Sequence, residues 1–415
     1  YKMEVRKRWG ILVMFCLAVS TNAMVWITTA PIATTVHKIY DVDEFWVEAC
    51  ALVYMLFYLP VVFPSNFILD EYGLKVGVTI GVVLTAAGGL LRIGGYSEIW
   101  YILAGNSVAA LGQPFLLSAP AKLAAYWFRA EKRAFATTMG SISNPIGIAL
   151  GFVLPTIFVQ EGSSKSDMGL LLLVQAIMIC SVALCVLVFF EEKPSVAPSQ
   201  TALMRRQSFS GSFKTCLKNK SFMMLWVAFA FGEGALNSST TLIEQMSKPY
   251  GFSTAESSLF GVLIIISGIT GSSLFGSVVG CTQRYRLFIM ILLVGSATSI
   301  VLFVLTLPVE SLGVSSIFCV MIGFLLNPIL PLSFELGCEL AFPVAEATAV
   351  GLMNSGGQLM GIIEILLSYL MSNNPEVISY ICAAGIFAGV IAMVFCKQEL
   401  KRSQQDKSVL ETPLK

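Results

Sequence analysis

Charge is scarce in this chain. Asp, Glu, Lys and Arg together make up 12% of its 415 residues, where a soluble domain carries about a quarter, so most of its surface is not built for water. The few acids and bases nearly cancel, at a net charge of +1, which excludes the basic field of a nucleic-acid binder. There is one histidine, His37, and no cluster of metal-ligating residues at site spacing, so neither a metal centre nor an acid–base enzyme site has its parts. The ten cysteines are scattered, most of them in apolar stretches (Cys16, Cys180, Cys185, Cys319, Cys382, Cys396). They read as small core residues, with no disulfide and no cofactor assigned. No cleavable secretory signal precedes the first apolar run, so the stretch from Trp9 reads as an uncleaved first helix.

What the chain has instead is apolar surface. Residues of hydrophobic type make up 56% of it, in repeated windows of about twenty residues, the length that crosses a hydrocarbon core about 30 Å thick. Twelve such spans are predicted, starting near Trp9, Val47, Val76, Ile99, Ala134, Met168, Phe222, Ser258, Leu287, Val314, Ala345 and Val377. The fold class is therefore all-α integral membrane. An even number of spans puts both termini on one side. With that side cytoplasmic, only Lys38, Arg92, Lys165 and Lys248 of the 26 Lys and Arg residues fall outside, as the positive-inside rule requires.

The longest polar stretch, residues 191–220, holds Pro194, Pro198 and a run of basic residues, and reads as a flexible cytoplasmic linker. It divides the chain into a six-helix bundle over 1–190, a second over 221–396 and a cytoplasmic tail over 397–415. Within the linker Arg205-Arg206-Gln207-Ser208 has the form of a basophilic kinase site. After the second span comes Asp70-Glu71-Tyr72-Gly73-Leu74-Lys75, and after the eighth Gly280-Cys281-Thr282-Gln283-Arg284-Tyr285-Arg286. An acid, a turn glycine and a base in this place resemble the signature loop of the major facilitator superfamily, whose halves are parallel repeats of six helices. Asp70, Gly73 and Lys75 are the candidate gating residues, with Asp70 able to cap or pair with a neighbouring helix end; the alternative is a solvated turn.

Polar groups inside spans cost free energy, so they default to interior or pathway positions. In span seven Glu233, Asn237, Thr240, Thr241 and Glu244 recur at helical spacing and form one stripe. Span one places Asn22 and Trp26 at i, i+4; span eleven places Asn354 and Gln358 likewise, among Gly351, Gly356, Gly357 and Gly361. Span four carries Asn106 and Gln113 on one face, and span ten carries Asn327, Pro328, Pro331 and Glu335. The other reading of each amide is hydrogen-bonding glue between helices, and of Trp26 simple packing. Glu244, Glu335 and Glu339 sit nearer span ends and suit interfaces or gates, Glu364 lies off the Gln358 face, and His37 reads as a loop residue. The sequon Asn237-Ser238-Ser239 lies inside a span, where glycosylation cannot occur.

At Asn22-Ala23-Met24-Val25-Trp26-Ile27, Pro120-Ala121-Lys122-Leu123-Ala124-Ala125-Tyr126-Trp127-Phe128, Ser143-Asn144-Pro145-Ile146-Gly147 and Phe342-Pro343-Val344-Ala345-Glu346, the sequence resembles the feline leukaemia virus subgroup C receptor family, solute carrier family 49, and looks closest to its third member. The resemblance implies transport of choline, ethanolamine or haem. It also implies an ammonium pocket in which Trp26 and Gln358 keep the family's Trp and Gln, while Pro145 and Asn237 stand where a Gln and a Tyr would be. Spans one, four, seven and ten line the central cavity in the superfamily, so the polar sets fall along a substrate path.

The expected function is a secondary transporter working by alternating access, with a choline- or ethanolamine-like amine or cation as solute and Trp26, Gln358, Asn237, Glu233, Gln113, Asn22 and Asn354 as its binding residues. A haem exporter is the alternative, and a channel or receptor the alternative of another class. The expected setting is a monomer in the plasma membrane, its partners a small molecule and the lipid bilayer.

Overall fold

Twelve apolar windows separated by polar breaks become twelve crossing segments, because a backbone without water must satisfy its hydrogen bonds internally. A computed structural model describes residues 2–128, 130–194, 209–342, 344, 346–371 and 376–401, and among them there is helix and no strand. The first half comprises α1 (Lys2–Ile27), α2 (Ala33–Tyr40), α3 (Glu44–Glu71), α4 (Leu74–Arg92), α5 (Ile99–Leu117), α6 (Pro120–Trp127), α7 (Ala130–Phe158) and α8 (Lys165–Phe189). After it come α9 (Phe209–Lys218), α10 (Lys220–Thr241), α11 (Ile243–Ser247), α12 (Thr254–Thr282), α13 (Tyr285–Thr306), α14 (Leu312–Leu326), α15 (Ile329–Ala341), α16 (Glu346–Leu370) and α17 (Glu376–Phe395). Every predicted span coincides with one of these helices, the tenth being split into α14 and α15 at Asn327-Pro328, where proline removes a backbone donor.

Ten of the crossing segments are long and apolar enough to span a bilayer by length and composition. The other two are α5 and α10, whose 19 and 22 residues reach about 28 and 33 Å. They fall short on composition because they carry the amides and Glu233. Polar ends are capped by short side chains: Asp43 accepts from the Phe45 amide at α3, and Ser253 with Glu256 forms a capping box at α12.

With twelve crossing segments, the start of α1 and the end of α17 fall on one face, termed here the terminal face. Lys7 pairs with Glu191 at 2.7 Å, joining the start of α1 to the end of α8, and the Lys397 amide donates to Ser221 Oγ at 3.2 Å, joining the end of α17 to the start of α10. Helices α1, α3, α4, α5, α7 and α8 pack on one another, as do α10 and α12 to α17, and the halves meet through α3 against α16 and α7 against α12.

Three expectations need correction. The second part of the linker is helical: α9 turns Phe213 onto Phe63 of α3, ring centroids 5.4 Å apart, and buries Cys216. Arg92 is no solvated outer residue but the last residue of α4, 1% exposed, because the apolar window runs one turn past it. His37 lies in α2 rather than a loop, its Nδ1 2.5 Å from the Val42 carbonyl. The Arg205-Arg206-Gln207-Ser208 segment, Pro343, Ala345 and the tail beyond Lys401 lie outside the described residues.

Candidate functional site

Helix α16 is the element around which the polar residues gather. Its glycines let two neighbours approach: a Cβ at Gly357 would lie 2.4 Å from Glu233 Cγ of α10, and one at Gly361 would lie 2.9 Å from Met55 Sδ of α3. At Gly357 a methyl group would run into the Glu233 stem, while at Gly361 the flexible end of Met55 would have to give way. The register against α3 runs from Met55 beside Gly361 to Asn66 beside Gly351, and against α10 from Trp226 beside Gly356 to Asn237 beside Gly361. Trp226 Nε1 donates to the Leu352 carbonyl at 2.8 Å and helps fix the second of these registers.

Along this seam Glu233, Asn237, Asn354 and Gln358 come together. Glu233 is half-buried, and no charged group among the described residues lies in its range; Asn237, Asn354 and Gln358 are buried. Asn237 Nδ2 has no hydrogen-bond partner. Trp26 of α1 lies against α3, its Nε1 donating to the Ala51 carbonyl at 3.2 Å. Gln113 of α5 is buried with its Oε1 unpaired. Asn22 is placed differently, since its Nδ2 donates to Thr85 Oγ1 at 2.9 Å and to the Ala109 carbonyl at 3.1 Å, tying α1 to α4 and α5. Asn106 likewise donates to the Cys50 carbonyl at 2.7 Å. These two amides hold the first half together, as the glue reading described.

Sequence reasoning passed over two residues of the seam. Tyr58 of α3 is fully buried at the level of Asn354 and Glu233, and its hydroxyl lies next to Ser118 and Asn354 without forming a well-directed hydrogen bond. Ser118, where α5 ends before α6, also has a buried oxygen without a partner. A buried polar atom left unpaired in a protein interior marks a place where water or a ligand group is wanted.

The face opposite the termini is closed by polar contacts between the halves. Glu244 of α11, with a fully buried side chain, accepts from Thr34 N at 3.0 Å and from Thr34 Oγ1 and Thr254 Oγ1 at 2.9 Å each. Lys248 lies 3.9 Å from Glu244 and pairs with Glu161 in the loop between α7 and α8. The hydrogen bond and charge of Lys248 hold the Glu161 carboxyl below its usual value. On the terminal face Asp70 pairs with Lys122 at 3.3 Å, within its own half. The acid that caps a helix here is Glu192, which accepts from the Leu74 and Lys75 amides at 2.9 and 2.5 Å, the first turn of α4. Gly73 makes the turn at φ 103°, a conformation only glycine adopts freely.

The sequence profile of the Major Facilitator Superfamily matches residues 15–363. The choline/ethanolamine transporter flvcr2a of Danio rerio is 26% identical over 418 residues, covering 97% of this chain and 89% of that protein. Solute carrier family 49 member A3 of Xenopus tropicalis is 28% identical over 375 residues, covering 87% and 77%. A D-xylose-proton symporter structure superposes with a TM-score of 0.72 at 11% identity, covering 94% of this chain and 98% of that one, a likeness of fold. These findings agree with the resemblance carried by the four motifs, and they make the chain a multi-pass membrane protein and a secondary transporter of a small organic solute. Two helical halves that meet along α3–α16 and α7–α12, with polar residues on the seam between them, are the halves of a transporter that belongs to the Major Facilitator Superfamily.

Proposed function

We propose that the solute is a choline- or ethanolamine-like amine or cation, held where α10 and α16 meet α3 and carried by alternating access. One observation supports this most: Glu233 stands on the seam against Gly357, in a membrane-crossing helix, with no basic partner among the described residues, a group whose charge a cationic solute would balance. Asn237, Asn354 and Gln358 supply polar contacts beside it, Trp26 an aromatic face and Gln113 a further amide. Asn22 acts one step removed, by fixing α1. The name of the Danio rerio relative, a choline/ethanolamine transporter, points to the same solute class.

In this reading residues 1–190 and 221–396 rock as two bodies, 191–220 links them, and 397–415 is a tail. Both termini face the cytoplasm of a plasma-membrane monomer. The Glu244 and Lys248 contacts close the outer gate, while Asp70, Gly73 and Lys75 shape the inner loop. The test is uptake of radiolabelled choline and ethanolamine by proteoliposomes containing the purified chain. Accelerated exchange with internal unlabelled solute is the expected result; conduction without exchange, or no uptake of either amine, contradicts it.

A further inference from the structure

The seam residues differ in kind from an aromatic cage. Four oxygen-bearing side chains share this part of the seam: Tyr58 of α3 has Asn354 of α16 and Ser118, the cap of α5, beside its hydroxyl, and Glu233 of α10, packed on Gly357 of α16, lies in its electrostatic range. Tyr58 Oη and Ser118 Oγ are buried with no hydrogen-bond partner, and Glu233 has no charged group among the described residues in its range. Two of the four come from each half of the molecule. The nearby indole, Trp26, has its N–H committed to the Ala51 carbonyl.

We propose that this site is built for a protonated primary amine in preference to a quaternary ammonium. The inference rests on the amine reading above and narrows it. A primary ammonium carries three N–H donors. One can go to the Glu233 carboxylate and the others to oxygens of Asn354, Tyr58 or Ser118, so the ligand completes the atoms that the protein leaves unpaired. A quaternary ammonium has no N–H. It is recognised by aromatic faces, and on binding here it would shield the Tyr58 and Ser118 oxygens from water without replacing the lost hydrogen bonds, a net loss.

The experiment is competition against labelled ethanolamine uptake in proteoliposomes by the series ethanolamine, N-methylethanolamine, N,N-dimethylethanolamine and choline. Affinity is expected to fall with each methyl group, as the three N–H donors are lost one by one, by about tenfold or more across the series. Tyr58→Phe and Ser118→Ala are expected to narrow the primary-to-quaternary ratio. Choline competing as well as ethanolamine overturns the proposal while leaving amine transport standing, and so does a ratio unchanged in both variants. If a variant fails to fold, as read by size-exclusion chromatography in detergent, the wild-type methylation series alone decides. Uptake of no amine at all would instead remove the reading on which the proposal rests, and the proposal with it.

Discussion

Glu244 and Thr34 lie 210 residues apart in sequence, yet the Glu244 carboxylate accepts from both the backbone amide and the hydroxyl of Thr34, at 3.0 and 2.9 Å. The contact ties α11 to the turn into α2, one half to the other, on the face opposite the termini. Hydrogen bonds to a charged group contribute about 1.5 to 3 kcal/mol each. A double-mutant cycle of Thr34→Val and Glu244→Gln in thermal unfolding is expected to show a coupling of about 1 kcal/mol, the backbone bond remaining in both variants. Strict additivity would show that the two side chains do not meet.

The neighbouring pair should report pH. The Glu161 carboxyl is held below its usual value by Lys248, and a depressed carboxylate stabilises the folded state above its ordinary titration range and loses that contribution as pH falls through the lowered value. The Tm difference between wild type and Glu161→Gln is therefore expected to be constant from pH 6 to 8 and to close only below about pH 4. A Tm difference that does not change between pH 8 and pH 3 would mean that the carboxylate is not held by Lys248.

On the terminal face, Glu192 caps the first turn of α4 and its carboxylate fills the space beside Gly73. A Cβ at Gly73 would stand 2.7 Å from Glu192 Oε1, on a backbone with φ 103°. Glu192→Gln is expected to cost about 1 kcal/mol through the weakened cap, and Gly73→Ala more, because strain adds to the displaced cap. Combining Gly73→Ala with Glu192→Ala should recover part of the loss. Equal losses in the two single variants, measured by thermal unfolding in detergent, would contradict the arrangement.

The crossing helices were legible because an apolar window of membrane length has few other uses, and Glu233 and Asn237 because polar groups four residues apart stand out in such a window. Tyr58 was not, since a tyrosine in an apolar helix looks like any packing aromatic until its hydroxyl is found unpaired. Ser118 was hidden for another reason: it owes its place to the break between α5 and α6, which no periodicity marks. For Asn22 and Asn106 the residue type alone leaves glue and pathway equally open, and the structure shows their amide N–H groups bonded to Thr85, Ala109 and Cys50 within the first half. Glu192 needed the tertiary fold, because the helix end it caps lies more than a hundred residues earlier. Arg92 shows the limit of window edges, where a charge on the last residue of a helix is counted as loop although it is buried.

In the proposed function Glu233 supplies the charge that holds an amine on the α10–α16 seam. Direct binding of ethanolamine to the purified protein, by scintillation proximity for wild type and Glu233→Gln, tests it with no dependence on the transport cycle. Binding is expected to weaken by about 1 to 2 kcal/mol, roughly 5- to 30-fold in Kd, as for removal of a charge-assisted hydrogen bond. An unchanged Kd in a variant that folds and elutes like wild type would show that Glu233 packs against Gly357 and touches no solute.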